Sequence, residues 1–175
     1  MDSLPPPPSD DEAIAIARGA FQHARVGDVA ALTRLLDLGV PVELCNERGD
    51  TLLMLAVYHG QREASRLLLS RGAKADRPND KGQTPLAGAA FKGDVGMMEL
   101  LLDGGVPPDG AGPDGRTALM YAAMFDRVEL MELLLRRGAD PARQDAEGRT
   151  ALDAARGMGA PGAIQRLEAL RSATP

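Results

Sequence analysis

The sequence predicts an all-α solenoid of about five helix-turn-helix units joined by β-turn finger loops. The prediction rests on three sets of markers, each of which recurs every 33 residues without an insertion. The threonines that precede apolar segments are Thr51, Thr84, Thr117 and Thr150. A glycine lies two residues before each threonine, and a second glycine series comprises Gly39, Gly72, Gly105 and Gly138. Leucine pairs occupy 35–36, 68–69, 101–102 and 134–135.

Each unit contains two short predicted helices that follow a tight turn. Gly49 and its equivalents favour the positive φ of such a turn, because glycine adopts it without steric cost. Thr51 and its equivalents can cap the first helix, and Pro85 suits the first helical position, where a missing N–H is harmless. Where other copies end this helix in glycine, the third has Asp126, a residue that tolerates left-handed geometry. The second helix carries leucines and ends at a glycine.

The repeated segments resemble the ankyrin repeat, whose pattern is G-x-T-P-L-H-x-A-A-x-x-G followed by L-L-x-x-G-A-D. The matching stretches are GQTPL at 82–86 and RGADP at 137–141, and the period of the chain is that of the family. The resemblance therefore implies the ankyrin fold, without the hydrogen bonds that the pattern's histidine makes. That histidine is replaced in turn by Met54, Ala87, Met120 and Asp153.

One ankyrin-repeat domain is expected over residues 10–172, because the repeat register covers nearly the whole chain. A repeat cannot bury its own apolar face, so the terminal units must differ from the internal ones and form caps. Residues 1–9, with four prolines, are expected to be a disordered lead-in. The predicted units, from the degenerate N-terminal cap to the C-terminal cap, span 10–45, 46–78, 79–111, 112–144 and 145–172.

Composition excludes several function classes. A net charge of −5 and a pI of about 5.1 suit a soluble protein and argue against nucleic-acid binding. No apolar run is long enough to span a membrane. The single cysteine, Cys45, excludes an internal disulfide and fits a reducing compartment, so we expect a cytoplasmic monomer. The preference for arginine over lysine is typical of GC-rich bacterial genomes.

The residues that could carry catalysis or hold a cofactor do not cluster in the sequence. His23 and His59 are the two histidines, and neither has a second ligand at metal-binding spacing. Cys45 lies in a predicted finger without a flanking base. The segment GGVPPDGAGPDGR at 104–116 lacks the alternating acids of a calcium loop, so we interpret it as a flexible finger. We therefore predict a protein that is not an enzyme and uses no metal or cofactor.

The resemblance also implies a partner-binding surface, since ankyrin proteins bind other proteins on a concave face of fingers and first helices. Three of the five aromatic residues fall at or next to one position of that face, and aromatic residues are enriched at binding hot spots. The predicted helical contacts are Tyr58, His59, Phe91, Lys92, Met124 and Phe125. The predicted finger contacts are Arg48, Asp50, Lys81, Gln83, Arg116 and Arg149.

Two alternatives remain open at this point. The rings could instead pack on neighbouring repeats and stiffen the stack, and Tyr121, which shares its phase with Leu55 and Ala154, is expected to do so. The predicted function is a non-enzymatic protein–protein interaction module that binds another protein, not nucleic acid or a membrane. The alternative is an inhibitor or an immunity-type masking protein, and a small-molecule binder or enzyme is less favoured.

Overall fold

The computed structural model describes residues 9–173, and within that range it has ten α-helices and no strand beyond two isolated bridges. Residues 1–8 of the predicted lead-in lie outside the described residues. The predicted all-α repeat architecture is confirmed. The helices are α1 (Asp10–Val26), α2 (Val29–Asp37), α3 (Leu52–Tyr58), α4 (Arg62–Ser70), α5 (Pro85–Lys92), α6 (Val95–Asp103), α7 (Ala118–Met124), α8 (Val128–Arg136), α9 (Ala151–Met158) and α10 (Pro161–Ala173).

The helices stack in two layers. The odd-numbered helices contact one another in chain order from α1 to α9, and the even-numbered helices form the second layer behind them. Alanines at one repeat position of the first layer are completely buried and let these helices approach closely; they are Ala56, Ala89, Ala122 and Ala155. Leucines at one position of the second layer are equally buried; they are Leu68, Leu101 and Leu134. The apolar face of each unit is thus covered by its neighbours.

The predicted caps are present in all four copies that carry the threonine. Each threonine is the N-cap of its helix and accepts a hydrogen bond from the backbone N–H three residues later, as Thr51 does from Met54 at 3.1 Å. Pro85 occupies the first turn of α5. In the last copy Asp153 also accepts the N–H of Thr150 at 2.9 Å, which completes a capping box.

Asp126 has the left-handed backbone that the sequence predicts, with a φ of 55°. Its side chain explains why this copy has an acid instead of glycine. Asp126 Oδ1 accepts the N–H of Ala163 at 2.7 Å, in the first turn of α10. The carboxylate therefore stabilises the start of the last helix, where backbone N–H groups have no partner within the helix.

The fingers, residues 40–50, 73–83, 106–116 and 139–149, are joined in pairs. The first two are joined by the N–H of Asp80, which donates to the Arg48 carbonyl at 3.0 Å. The last two are joined in the same register by the N–H of Ala146 and the carbonyl of Asp114, at 2.8 Å. The equivalent position between the second and third fingers is Pro113, which has no N–H to donate.

A neighbouring departure from the repeat lies at the same junction. Asn46, Asn79 and Asp145 occupy one finger position, and their side-chain oxygens accept backbone N–H groups within their own fingers. The third finger has Gly112 there instead. A Cβ at Gly112 would overlap the carbonyl oxygen of Gly82 in the preceding finger. The second and third fingers thus meet through close backbone contact and not through the bond that joins the other pairs.

Gly112→Ala should destabilise the protein by about 1–3 kcal/mol, because the added methyl group must displace the Gly82 backbone. The measurement is the midpoint of chemical unfolding followed by circular dichroism. The matched control is Gly157→Ala in α9, where a Cβ meets no atom within 4 Å. Alanine is the better helix former, so the control should be neutral or slightly stabilising. Equal midpoints for the two variants would contradict the steric explanation.

Candidate functional site

A groove of about 870 Å³ lies on the face formed by the first helices and the fingers. It occupies the N-terminal half of the stack, between α1 on one side and the first two fingers on the other. The residues that α1 contributes are Ile14, Ala17, Arg18, Phe21 and Arg25. The first two fingers contribute Cys45, Asn46, Glu47, Arg48, Asp50, Asn79, Lys81 and Gln83. The floor and far end are formed by Met54, Leu55, Tyr58, His59, Gly88 and Phe91.

The repeat register places Arg25 on the predicted face, but the other α1 residues of this wall were not predicted from the sequence. α1 is 17 residues long, whereas α3, α5, α7 and α9 have 7 or 8. Its first turn is stabilised by a capping box between Ser9 and Glu12, with the Ser9 N–H donating to Glu12 Oε2 at 2.9 Å. Ile14 and Phe21 lie two turns apart and therefore on one side of the helix. The spacing of Ile14 and Phe21, in a helix longer than the repeat requires, was the signal in the sequence that could have predicted this wall.

The aromatic row, which comprises Tyr58, Phe91 and Phe125, is a continuous stack of rings across three repeats. The rings of Tyr58 and Phe91 are nearly parallel, with centroids 6.3 Å apart. Phe91 meets Phe125 edge to face at 5.1 Å. Tyr58 and Phe91 are 43% and 41% exposed, whereas Phe125 is half-buried. The rings therefore pack on neighbouring repeats and two of them also present surface, so the two alternatives are compatible.

Two neighbours extend the aromatic row. The Lys92 ammonium lies 4.9 Å from the centre of the Tyr58 ring, within the range of a cation–π interaction. The His59 ring contacts the same tyrosine edge to face at 5.9 Å. Tyr121, from the same helix as Met124, is half-buried against the core. Its position agrees with the packing role expected from its repeat phase.

Two of the predicted finger contacts are engaged within the protein. Asn79 Nδ2 donates to Asp50 Oδ1 of the preceding finger at 2.8 Å and lies 3.3 Å from Gln83 Oε1. Asn46 Nδ2 donates to the other Asp50 oxygen at 3.2 Å. Asp50 and Gln83 are both half-buried. These polar groups line the groove, but their hydrogen bonds hold the first two fingers together.

Arg116 and Arg149 are also engaged, in an ion-pair network around a buried carboxylate. Arg149 Nη2 lies 2.9 Å from Asp145 Oδ2 and 3.0 Å from Glu147 Oε1. Arg116 Nε lies 3.8 Å from the same Asp145 oxygen. The pKa of Asp145 is lowered, chiefly because the backbone N–H of Arg149 donates to its carboxylate and because the Arg149 guanidinium is bound to it.

The structure therefore divides the predicted contact residues between two places. Seven line the groove: Arg48, Asp50, Tyr58, His59, Lys81, Gln83 and Phe91. The other five lie outside its lining: Lys92, Arg116, Met124, Phe125 and Arg149. Lys92 and Phe125 contact the aromatic row, while the two arginines belong to the network of the last two fingers.

Within residues 9–173, no group of three or more His, Cys, Asp and Glu side chains is placed to hold a metal ion. None of the described helices combines the length and apolar character needed to cross a bilayer. The exposed Cys45 thiol lies 3.7 Å from Nη2 of Arg77, which is also bound to Glu43.

Comparison with known proteins decides the family. The family model for ankyrin repeats (3 copies) matches residues 20–109 and 89–168, which is most of the chain. The chain belongs to the ankyrin repeat family. A curated ankyrin repeat protein of Pseudomonas aeruginosa is 49% identical over 67 residues, which are 38% of this chain and 39% of the relative. This chain therefore spans about two fifths of that relative's length.

Ankyrin repeats are general protein–protein interaction modules, and the family is typically non-enzymatic. In this ankyrin protein the two halves of the face formed by the first helices and fingers differ. The N-terminal half has a groove with exposed rings, and in the C-terminal half Arg116 and Arg149 are bound to carboxylates.

Asp145→Asn should keep the fold but lower stability at neutral pH. Asparagine occupies the equivalent positions 46 and 79, so the bonds within the finger can persist while the ion pairs are lost. Because the pKa of Asp145 is lowered by folding, its contribution is present above its ordinary value of 3.8 and is lost as the pH falls through the folded value. The stability gap between wild type and variant should therefore shrink below about pH 3.8. The measurement is the thermal midpoint across pH, and a gap that stays constant into strong acid would contradict the ionic role.

Proposed function

We propose that this ankyrin protein binds a partner protein through the groove and the aromatic row, without catalysing a reaction. The observation that carries the proposal is the exposure of Tyr58 and Phe91 on a concave surface. Both rings are more than two-fifths exposed although each is large and apolar. Exposed apolar groups that lie together favour association with another protein.

The rings are also held in place before any partner arrives. Tyr58 stacks on Phe91, Phe91 meets Phe125, and Lys92 lies over Tyr58. Their helices are packed through completely buried alanines, so the spacing of the rings follows from that of the repeats. Side chains that are ordered in advance lose little conformational entropy on binding. Preorganised aromatic residues are typical of the hot spots that dominate binding energy.

The contact surface that we propose is centred on the N-terminal half. There the groove combines Tyr58 and Phe91 with Ile14 and Phe21 of α1. The C-terminal fingers play a supporting part, because Arg116 and Arg149 are already bound to acids. An inhibitor or masking protein would use the same surface. For this ankyrin protein, a bacterial source, a cytoplasmic location and a monomeric state stay predictions. The lack of a cofactor and of nucleic-acid and membrane partners stays a prediction as well.

Replacing Tyr58 and Phe91 together by alanine should weaken capture of the natural partner at least tenfold, since two hot-spot side chains are removed. The experiment is affinity purification with the full chain as bait, with the partner identified by mass spectrometry and the affinity then measured with the purified partner. Both rings are partly exposed, so the helical circular dichroism should change little. The matched control is Leu38→Ala, whose side chain is 82% exposed and lies outside the groove.

Phe125→Ala separates a structural role from a contact role. Phe125 is half-buried and supports Phe91 edge to face, so replacing it by alanine should lower the unfolding midpoint. The affinity of the folded variant for the partner should change little.

Unchanged partner affinity in the folded Tyr58→Ala, Phe91→Ala variant would overturn the proposed surface.

A further inference from the structure

We infer that the groove accepts an acidic segment of the partner that also carries apolar side chains. This inference rests on the proposed function and specifies the chemistry of the partner. It follows from where the chain places cations that have no ionic partner of their own, beside apolar residues of the groove.

The groove is cationic although the whole chain has a net charge of −5. Four cationic side chains line it against two carboxylates, Glu47 and Asp50. Asp50 already accepts hydrogen bonds from Asn46 and Asn79. Among the residues that the structure describes, none of the four cationic side chains has an ion pair or a hydrogen bond. These four are Arg18, Arg25, Arg48 and Lys81.

The cations lie on both sides of the groove. Arg18 and Arg25 come from α1, and Arg48 and Lys81 come from the first two fingers. A segment bound between them would meet positive charge along both edges. Because the side chains flank a concave surface, their fields add in the space that the segment would occupy. Complementary charge across an interface raises the association rate and excludes partners of the wrong sign.

The C-terminal fingers show the contrast within the same molecule. Two of their three arginines, Arg116 and Arg149, lie within 4 Å of Asp145 and Glu147, so the charge of these two is compensated in the free protein. An acidic partner would have to compete with those carboxylates. The cations of the N-terminal groove face no such competition within the described part of the chain. Charge complementarity therefore favours the groove over the last two fingers.

Apolar groups form the other part of the recognition surface. Ile14, Phe21, Tyr58 and Phe91 line the groove among the cations. A purely acidic partner would leave these rings and aliphatic carbons uncovered. A nucleic acid could stack its bases on the rings, but it has no aliphatic side chain to cover Ile14, and ankyrin repeats are general protein–protein interaction modules. A protein segment with alternating acidic and apolar side chains fits both features.

The experiment measures binding of fluorescein-labelled synthetic peptides to the full chain by fluorescence anisotropy. One peptide contains glutamate and leucine, a second replaces every glutamate by lysine, and a third replaces every leucine by serine. A single-stranded oligonucleotide with the same label is the fourth probe. The glutamate–leucine peptide should bind at least tenfold more tightly than the other three. Its affinity should fall as salt is raised, because screening weakens the attraction of partly exposed charges.

Two variants with equal net charge test where the charge acts. Arg48→Gln with Lys81→Gln removes two groove cations, and we expect affinity for the glutamate–leucine peptide to fall about tenfold. Arg34→Gln with Arg136→Gln removes two exposed cations of α2 and α8, outside the groove, and should leave the affinity within about twofold. Equal losses in both variants, or none in either, would overturn the inference, because the groove cations would then have no specific role.

The remaining outcomes separate this inference from the proposed function. If the lysine–leucine peptide binds equally well and both lose affinity in the Tyr58→Ala, Phe91→Ala variant, the apolar surface is real and the acidic preference is wrong. Preferential binding of the oligonucleotide would overturn the inference in favour of nucleic acid. If no peptide binds while the natural partner is still captured through the rings, the inference fails and the proposed function stands.

Discussion

The close stacking of neighbouring repeats is the interaction on which the rest of this structure depends. No unit covers its own apolar face, and burial is complete at the alanines of the first layer and the leucines of the second. The small side chains of Ala56, Ala89 and Ala122 let the first helices approach closely. That approach brings Tyr58, Phe91 and Phe125 into ring contact. The groove exists because the same stacking sets α1 against the first two fingers.

The fingers add a second level of organisation, because they are bonded in two pairs. Backbone hydrogen bonds join the first finger to the second and the third to the fourth. At the central junction Pro113 has no N–H to donate, and Gly112 instead makes close contact with the Gly82 backbone. The groove belongs to the first pair and the Asp145 network to the second. Four cations of the groove thus have no ion pair among the described residues, whereas Arg116 and Arg149 of the second pair are bound to carboxylates.

The repeat period explains why part of the candidate site lies together on one face. Tyr58, Phe91 and the neighbouring fingers meet on one face because they share a period. Phase could not show that Arg116 and Arg149 are bound to Asp145, since that depends on side-chain reach within and between fingers. It also missed Ile14 and Phe21, because the first unit is degenerate and its long α1 has no equivalent in later copies. Contacts made once in the chain leave no periodic signal.

The sequence by itself determined the register, the threonine caps, the glycine turns and the left-handed position of Asp126, since each follows from interactions within a few residues. The tertiary structure alone decided which rings stay exposed, which arginines are paired and where the groove lies. Most of those properties depend on groups about one repeat apart, such as the Asp50 carboxylate with the Asn79 amide or the Asp126 carboxylate with the Ala163 N–H. Such pairs come within hydrogen-bonding distance only after the units have stacked, so local preference cannot specify them.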